Sequence, residues 1–114
     1  MIKKEISTQE EWEILCQRLS ESFGKKPDLN GVLFLIGVQE LGKGFRHFEK
    51  EEKQDLMHIA TCKVLSTSGY YELEGLDSDG WPHWKSLKPM PKLALMEQEL
   101  FLKHHILEYF NETF

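Results

Sequence analysis

Cysteine is scarce in this chain. Cys16 and Cys62 are its only two, far apart and both inside segments with helical patterning, which is not the spacing of a small disulfide framework. Reduced thiols are the expectation. Basic residues are outnumbered, 14 Lys and Arg against 19 Asp and Glu, for a formal net charge of -5. The lysines are also scattered, whereas nonspecific nucleic-acid binding needs clustered cations to release counterions from phosphate. Long apolar runs are missing too: the longest, residues 32–36, falls far short of the roughly 20 residues of a membrane span. Residues 1–5, MIKKE, lead into a charged stretch without the apolar centre of an export signal. These absences point to a cytoplasmic protein that engages neither nucleic acid nor membrane. Repeats and low-complexity tracts are absent as well, and a chain that is 40% hydrophobic and 29% charged buries enough apolar surface to offset chain entropy. Only the last three or four residues are expected to fray.

What is present reads as helix for most of the length. Thr8-Gln9-Glu10-Glu11 fits a capping box, and Trp12, Leu15, Cys16, Leu19 and Phe23 follow on one stripe until Gly24 supplies a left-handed stop. Residues 29–41 are apolar on all sides, so periodicity alone does not separate buried helix from buried strand. Their length, a cap from Asp28 or Asn30 and the stop at Gly42 favour a buried helix, with Gly31 and Gly37 marking close contacts. Residues 48–65 open with acidic side chains suited to the positive end of the helix dipole and turn Leu56, Ile59, Ala60 and Val64 inward. Residues 91–111 carry Leu93, Met96, Leu100, Leu107 and Phe110 on one stripe and Leu95, Leu102 and Ile106 on the next, as expected of a helix with two neighbours. The expected fold is all-α: one helical domain over residues 1–114, a compact bundle of about four helices.

The connector, residues 69–91, is longer than most ordered loops, and such loops are commonly functional or packed by their own side chains. It gathers Tyr70, Tyr71, Trp81, His83 and Trp84 together with Pro82, Pro89 and Pro91. It has room for a small hairpin, residues 70–74 and 81–87, around Asp77-Ser78-Asp79-Gly80, with Pro82 confining the second strand to an edge. Rings on such a strap serve either to anchor it to the helices or to present a surface to a partner. The two roles are compatible if one face stays exposed.

Three motifs suggest chemistry. Gly37-Val38-Gln39-Glu40-Leu41-Gly42-Lys43 has the glycine and lysine spacing of a phosphate-binding loop, but Gly44 stands where Ser or Thr should hold magnesium and Glu40 would face the phosphate. A helix end accounts for it. Asp77-Ser78-Asp79-Gly80 looks like part of a calcium loop, yet Gly75 and Ser86 occupy the first and twelfth ligand positions; ordinary turn chemistry accounts for it. The third motif is the stripe Glu51, Asp55, His58 and Cys62, spaced four, three and four, which brings the side chains into a helical band about 60° wide. All four types ligate transition metals, and the last helix offers His104, His105 and Glu108 as partners. A solvated face would carry the same residues, and the paired Glu-x-x-His motifs of di-metal bundles are lacking.

Glu99 and Lys103 fall inside the apolar half of the last helix at i, i+4 and are expected to form a snorkelling ion pair. Cys16 lies on the core stripe, and Cys62 on the polar band is the more reactive of the two thiols. No nucleophilic triad or phosphate cradle survives comparison with its duller explanation. The function expected is therefore a small cytoplasmic binding module that needs no cofactor and contacts a protein partner or small ligand through Tyr70, Tyr71, Asp77, Asp79, Trp81, His83 and Trp84. The rival is a metal-binding bundle or metal-dependent enzyme using Glu51, Asp55 and His58 with His104, His105 or Glu108. Homodimer formation through the last helix is compatible with either.

Overall fold

A computed structural model describes residues 7–113. They form α1 (Thr8–Phe23), α2 (Leu29–Leu41), α3 (Lys50–Ser66), β1 (Tyr71–Leu76), β2 (Pro82–Ser86) and α4 (Leu95–Thr113). The protein is mostly helical, with four helices as expected, and the two strands correct an all-α reading. Its contacts group into two units. One joins the described residues up to Asp28 with those from Leu93 on; the other is Leu29–Lys92. No helix among the described residues is long and apolar enough to cross a membrane. The expectation for residues 1–5 lies outside the described residues.

In the first unit α1 packs against α4. The cap of α1 is Ser7 and not Thr8: the Ser7 hydroxyl accepts the Glu10 backbone N–H at 3.1 Å. Gly24 closes the helix at φ 83°, a left-handed conformation that costs glycine nothing. Trp12, Leu15 and Cys16 are buried, while Phe23 at the end of the stripe is half exposed. The last helix starts four residues later than residue 91, because the Glu97 carboxylate takes the Ala94 N–H and the Gln98 side chain takes the Leu93 carbonyl. It continues past Asn111 to Thr113. Ile106, Leu107 and Tyr109 are buried, but Leu95 and Met96, expected to face inward, are 81% and 79% exposed.

Lys103 is buried in this unit. Its ammonium lies 5.2 Å from the centre of the Trp12 ring, 3.3 Å from Gln9 Oε1 and 3.9 Å from the exposed Glu99 carboxylate. The expected ion pair is therefore present but lopsided, with the cation held largely by an indole face.

The second unit is built on α2 against α3. α2 is the uniformly apolar segment, and Val32, Leu33, Ile36, Gly37, Val38 and Leu41 are all buried. Gly37 is where the helices come closest: a Cβ there would lie 2.2 Å from the Leu56 carbonyl oxygen and 2.7 Å from its carbon. Gly42 then ends α2 at φ 72°, so the phosphate-loop look-alike is a helix and its stop. α3 begins at Lys50 because the Glu49 N–H donates to Glu52 Oε1 at 3.0 Å. The core of the unit joins Val38, Leu41, Phe48, Leu56 and Ile59, with Phe34 and Trp81 packed against it; the Phe34 and Phe48 rings meet edge to face at 5.9 Å.

The connector forms the expected hairpin. β1 and β2 pair antiparallel with Tyr71 opposite Ser86, Glu72 opposite Lys85 and Leu73 opposite Trp84; a bulge then shifts the register so that Gly75 faces His83. Gly75, at the bulge, has φ 143°, a backbone conformation that residues with a side chain rarely adopt. The pair packs on α3.

Substitution at Gly37 and Gly42 separates contact from conformation. Gly37→Ala should destabilise by upwards of about 3 kcal/mol, because the obstacle is backbone that does not yield. Gly42→Ala, with open space around it, should cost about 1 kcal/mol of left-handed strain. Urea midpoints for the two variants test this, and a Gly37→Ala protein as stable as Gly42→Ala would refute the close approach.

Candidate functional site

The hairpin and α3 enclose a cleft of about 420 Å³ lined by Glu52, Asp55, His58, Ile59, Asp77, Asp79, Trp81, Pro82, His83 and Trp84. Two sets of residues that the sequence offered as competing sites, the Asp55 and His58 stripe and the aromatic strap, therefore share one concavity. Nothing in their sequence spacing signals this, since it depends on the hairpin folding back along α3.

The turn is ordered by Asp77. Its Oδ1 accepts the backbone N–H groups of Asp79 at 2.9 Å and Trp81 at 3.0 Å, and its Oδ2 lies 2.9 Å from His83 Nε2. Two backbone bonds, Asp77 N–H to the Trp81 carbonyl at 2.9 Å and Gly80 N–H to the Asp77 carbonyl at 3.0 Å, complete it. The His83 ring foremost, then the Trp81 N–H, hold the Asp77 carboxyl below the ordinary aspartate value of 3.8. Lys43 donates to the Asp79 carbonyl. Every described bond of the Asp77 carboxylate serves the turn itself.

Trp81 is half-buried on the core cluster and anchors the hairpin. Tyr70 is half-buried, with the Lys88 ammonium 4.3 Å above its ring and its carbonyl accepting the Leu87 N–H at 2.9 Å. Tyr71 meets the His58 ring edge to face at 6.5 Å. Neither tyrosine lines the cleft. Trp84 is half-buried, and its indole Nε1–H is covered without an acceptor. Such an orphan costs about 1–3 kcal/mol and calls for an explanation. His83, Asp77 and Asp79 are exposed.

The metal stripe fares differently along its length. Glu51, Asp55 and His58 are exposed on α3, whereas Cys62 is fully buried. α2 and the hairpin pack on α3 together, so its polar band is shorter than one-sided periodicity implies. Cys62 Sγ lies 3.5 Å from His58 Nε2. Burial pushes the Cys62 thiol up to about 11, and its place in the interior, not on the polar band, runs against the expectation that it is the more reactive cysteine. On α4, His104 pairs with Glu108 at 2.9 Å. His105, expected on the polar arc, is instead buried with Nδ1 2.7 Å from the Phe101 carbonyl. Among the described residues no group of three or more His, Cys, Asp or Glu is arranged to hold a metal ion.

Comparison with protein-family models, curated proteins and solved structures gives no match for this chain.

Two outcomes are expected. The depressed Asp77 value means that its bonds contribute fully above pH 3.8 and are lost as pH falls through the lower, folded value. In an acid titration followed by NMR, the Asp79 and Trp81 backbone amides should move together with a midpoint below 3.8, and Asp77→Asn should abolish the transition. A midpoint at or above that value would contradict the network. Second, Cys16 and Cys62 are both buried, so iodoacetamide at neutral pH should label neither in the folded protein and both after denaturation. Rapid labelling of Cys62 would restore the reactive thiol.

Proposed function

We propose that the protein is a small cytoplasmic binding module that receives a protein partner at the cleft between the hairpin and α3. The observation that carries this is the composition of the cleft: Trp81 and Trp84 stand beside exposed His83, Asp55 and Asp79 in one concavity. Trp81 also packs on the core, so the surface offered to the partner is anchored before it binds. Such preorganisation lowers the ordering cost of association, and tryptophan beside polar groups is the usual composition of an interface centre. Dimer formation through α4 is a separate proposal, favoured by the exposure of Leu95, Met96 and Leu100.

Site-specific photocrosslinking in cells that make the protein tests both. A benzophenone side chain in place of Ser78, at the turn between Asp77 and Asp79, should give a discrete heavier adduct, and the same group in place of Gln17 on α1 should not. The same adducts from both positions, or none from Ser78, would sink the binding module. A product of twice the chain mass from a probe at Met96 is the result that the dimer requires.

A further inference from the structure

We propose that the cleft takes a basic side chain, lysine or arginine, of the partner polypeptide. This rests on the binding-module reading and gives it a ligand class. The lining contains four carboxylates, those of Glu52, Asp55, Asp77 and Asp79, and no lysine or arginine. They are not equivalent. Glu52 is engaged by the Glu49 N–H and by Arg46, and Asp77 by its own turn and His83. Among the described residues no hydrogen bond or ion pair engages the carboxylate of Asp55 or of Asp79. One is set on α3 and the other on the hairpin turn, so two uncommitted negative charges approach the same space from two elements.

Two basic groups that touch the lining residues are already engaged, Lys43 on the Asp79 carbonyl and Arg46 on Glu52 and over the Phe48 ring. The rest of the wall suits the remainder of such a side chain. Ile59, Pro82 and the rings of Trp81 and Trp84 offer apolar surface for an aliphatic stem and indole faces for its cationic head. A metal ion is a poorer fit, because it needs three or more donors converging on a point and no described group provides them. A cleft of about 420 Å³ is at the small end of ligand sites, which run from roughly 300 to 1,000 Å³, and is sized for one long side chain with its flanking backbone. The net charge of -5 adds long-range attraction for a basic segment.

The test uses the full chain labelled with ¹⁵N and three blocked pentapeptides that differ only at the centre, Gly-Gly-Arg-Gly-Gly, Gly-Gly-Lys-Gly-Gly and Gly-Gly-Glu-Gly-Gly, with methylguanidinium as a fourth probe. The readout is the indole N–H signals of Trp81 and Trp84, with Trp12 on α1 as internal reference. The arginine and lysine peptides should move Trp81 and Trp84 but not Trp12, the glutamate peptide should move none, and added salt should weaken the effect. The Asp55→Asn, Asp79→Asn double variant should bind the arginine peptide roughly tenfold more weakly with an unchanged Trp12 signal. Equal response to the glutamate peptide, full affinity in the double variant, or equal binding of methylguanidinium and the arginine peptide would each overturn the proposal. If the Ser78 crosslink forms while no basic peptide moves the indoles, the module stands and the basic ligand falls; if neither is seen, both fall.

Discussion

The approach of α2 to α3 at Gly37 is the constraint on which the rest of the second unit depends. With hydrogen in place of a side chain, the α2 backbone comes up against the carbonyl of Leu56, closer than any Cβ allows. That distance lets Val38 and Leu41 share one cluster with Leu56, Ile59 and Phe48. A wider separation would leave voids among these side chains, and interiors packed at crystal-like density lose stability with each unfilled methylene. The cluster in turn supplies the surface on which Trp81 rests. Through Trp81 a two-stranded hairpin, which has little independent stability in water, acquires a fixed position on α3.

Once the hairpin is held there, chemistry written in separate places is collected. Asp55 and His58 belong to the first half of α3 and Asp77 to Trp84 to the turn and second strand. The turn separates neighbouring carboxylates into different roles: Asp77 is bound into the loop by two backbone N–H groups and an imidazole, while Asp79 contributes its own amide and its carboxylate is not engaged by the turn. The strap thus both packs and presents. Trp81 faces the core as well as the cleft, and His83 stays exposed between half-buried neighbours.

Much of this was legible in the residues. The extent of α2 follows from a uniformly apolar run bounded by Asp28 and Gly42, and the hairpin from ring-rich stretches on either side of Asp-Ser-Asp-Gly, since local conformational preferences set both. The departures are instructive. Ser7 displaces Thr8 as the cap of α1 because either hydroxyl satisfies the motif and only the backbone path selects one. Cys62 and His105 lie on arcs that look polar by periodicity, yet both are buried. Each is a small or amphipathic residue that tolerates burial when packing or a carbonyl accommodates it. Leu95 and Met96 err in the other direction: their apolar character continues the stripe of α4, but they are left exposed.

The sequence by itself favoured four helices with their principal stops, left room for the hairpin and determined the scarcity of basic and disulfide-forming residues, because each is governed by contacts within a few positions or by composition. Only the tertiary structure decided that α3 is covered by both α2 and the hairpin, that its acidic stripe loses Cys62 to the interior, and that Asp55 and Asp79 line one cleft with Trp81 and Trp84. Those outcomes depend on which faces meet. That is set by side-chain volume and backbone approach between residues distant in the chain, and no local pattern encodes it.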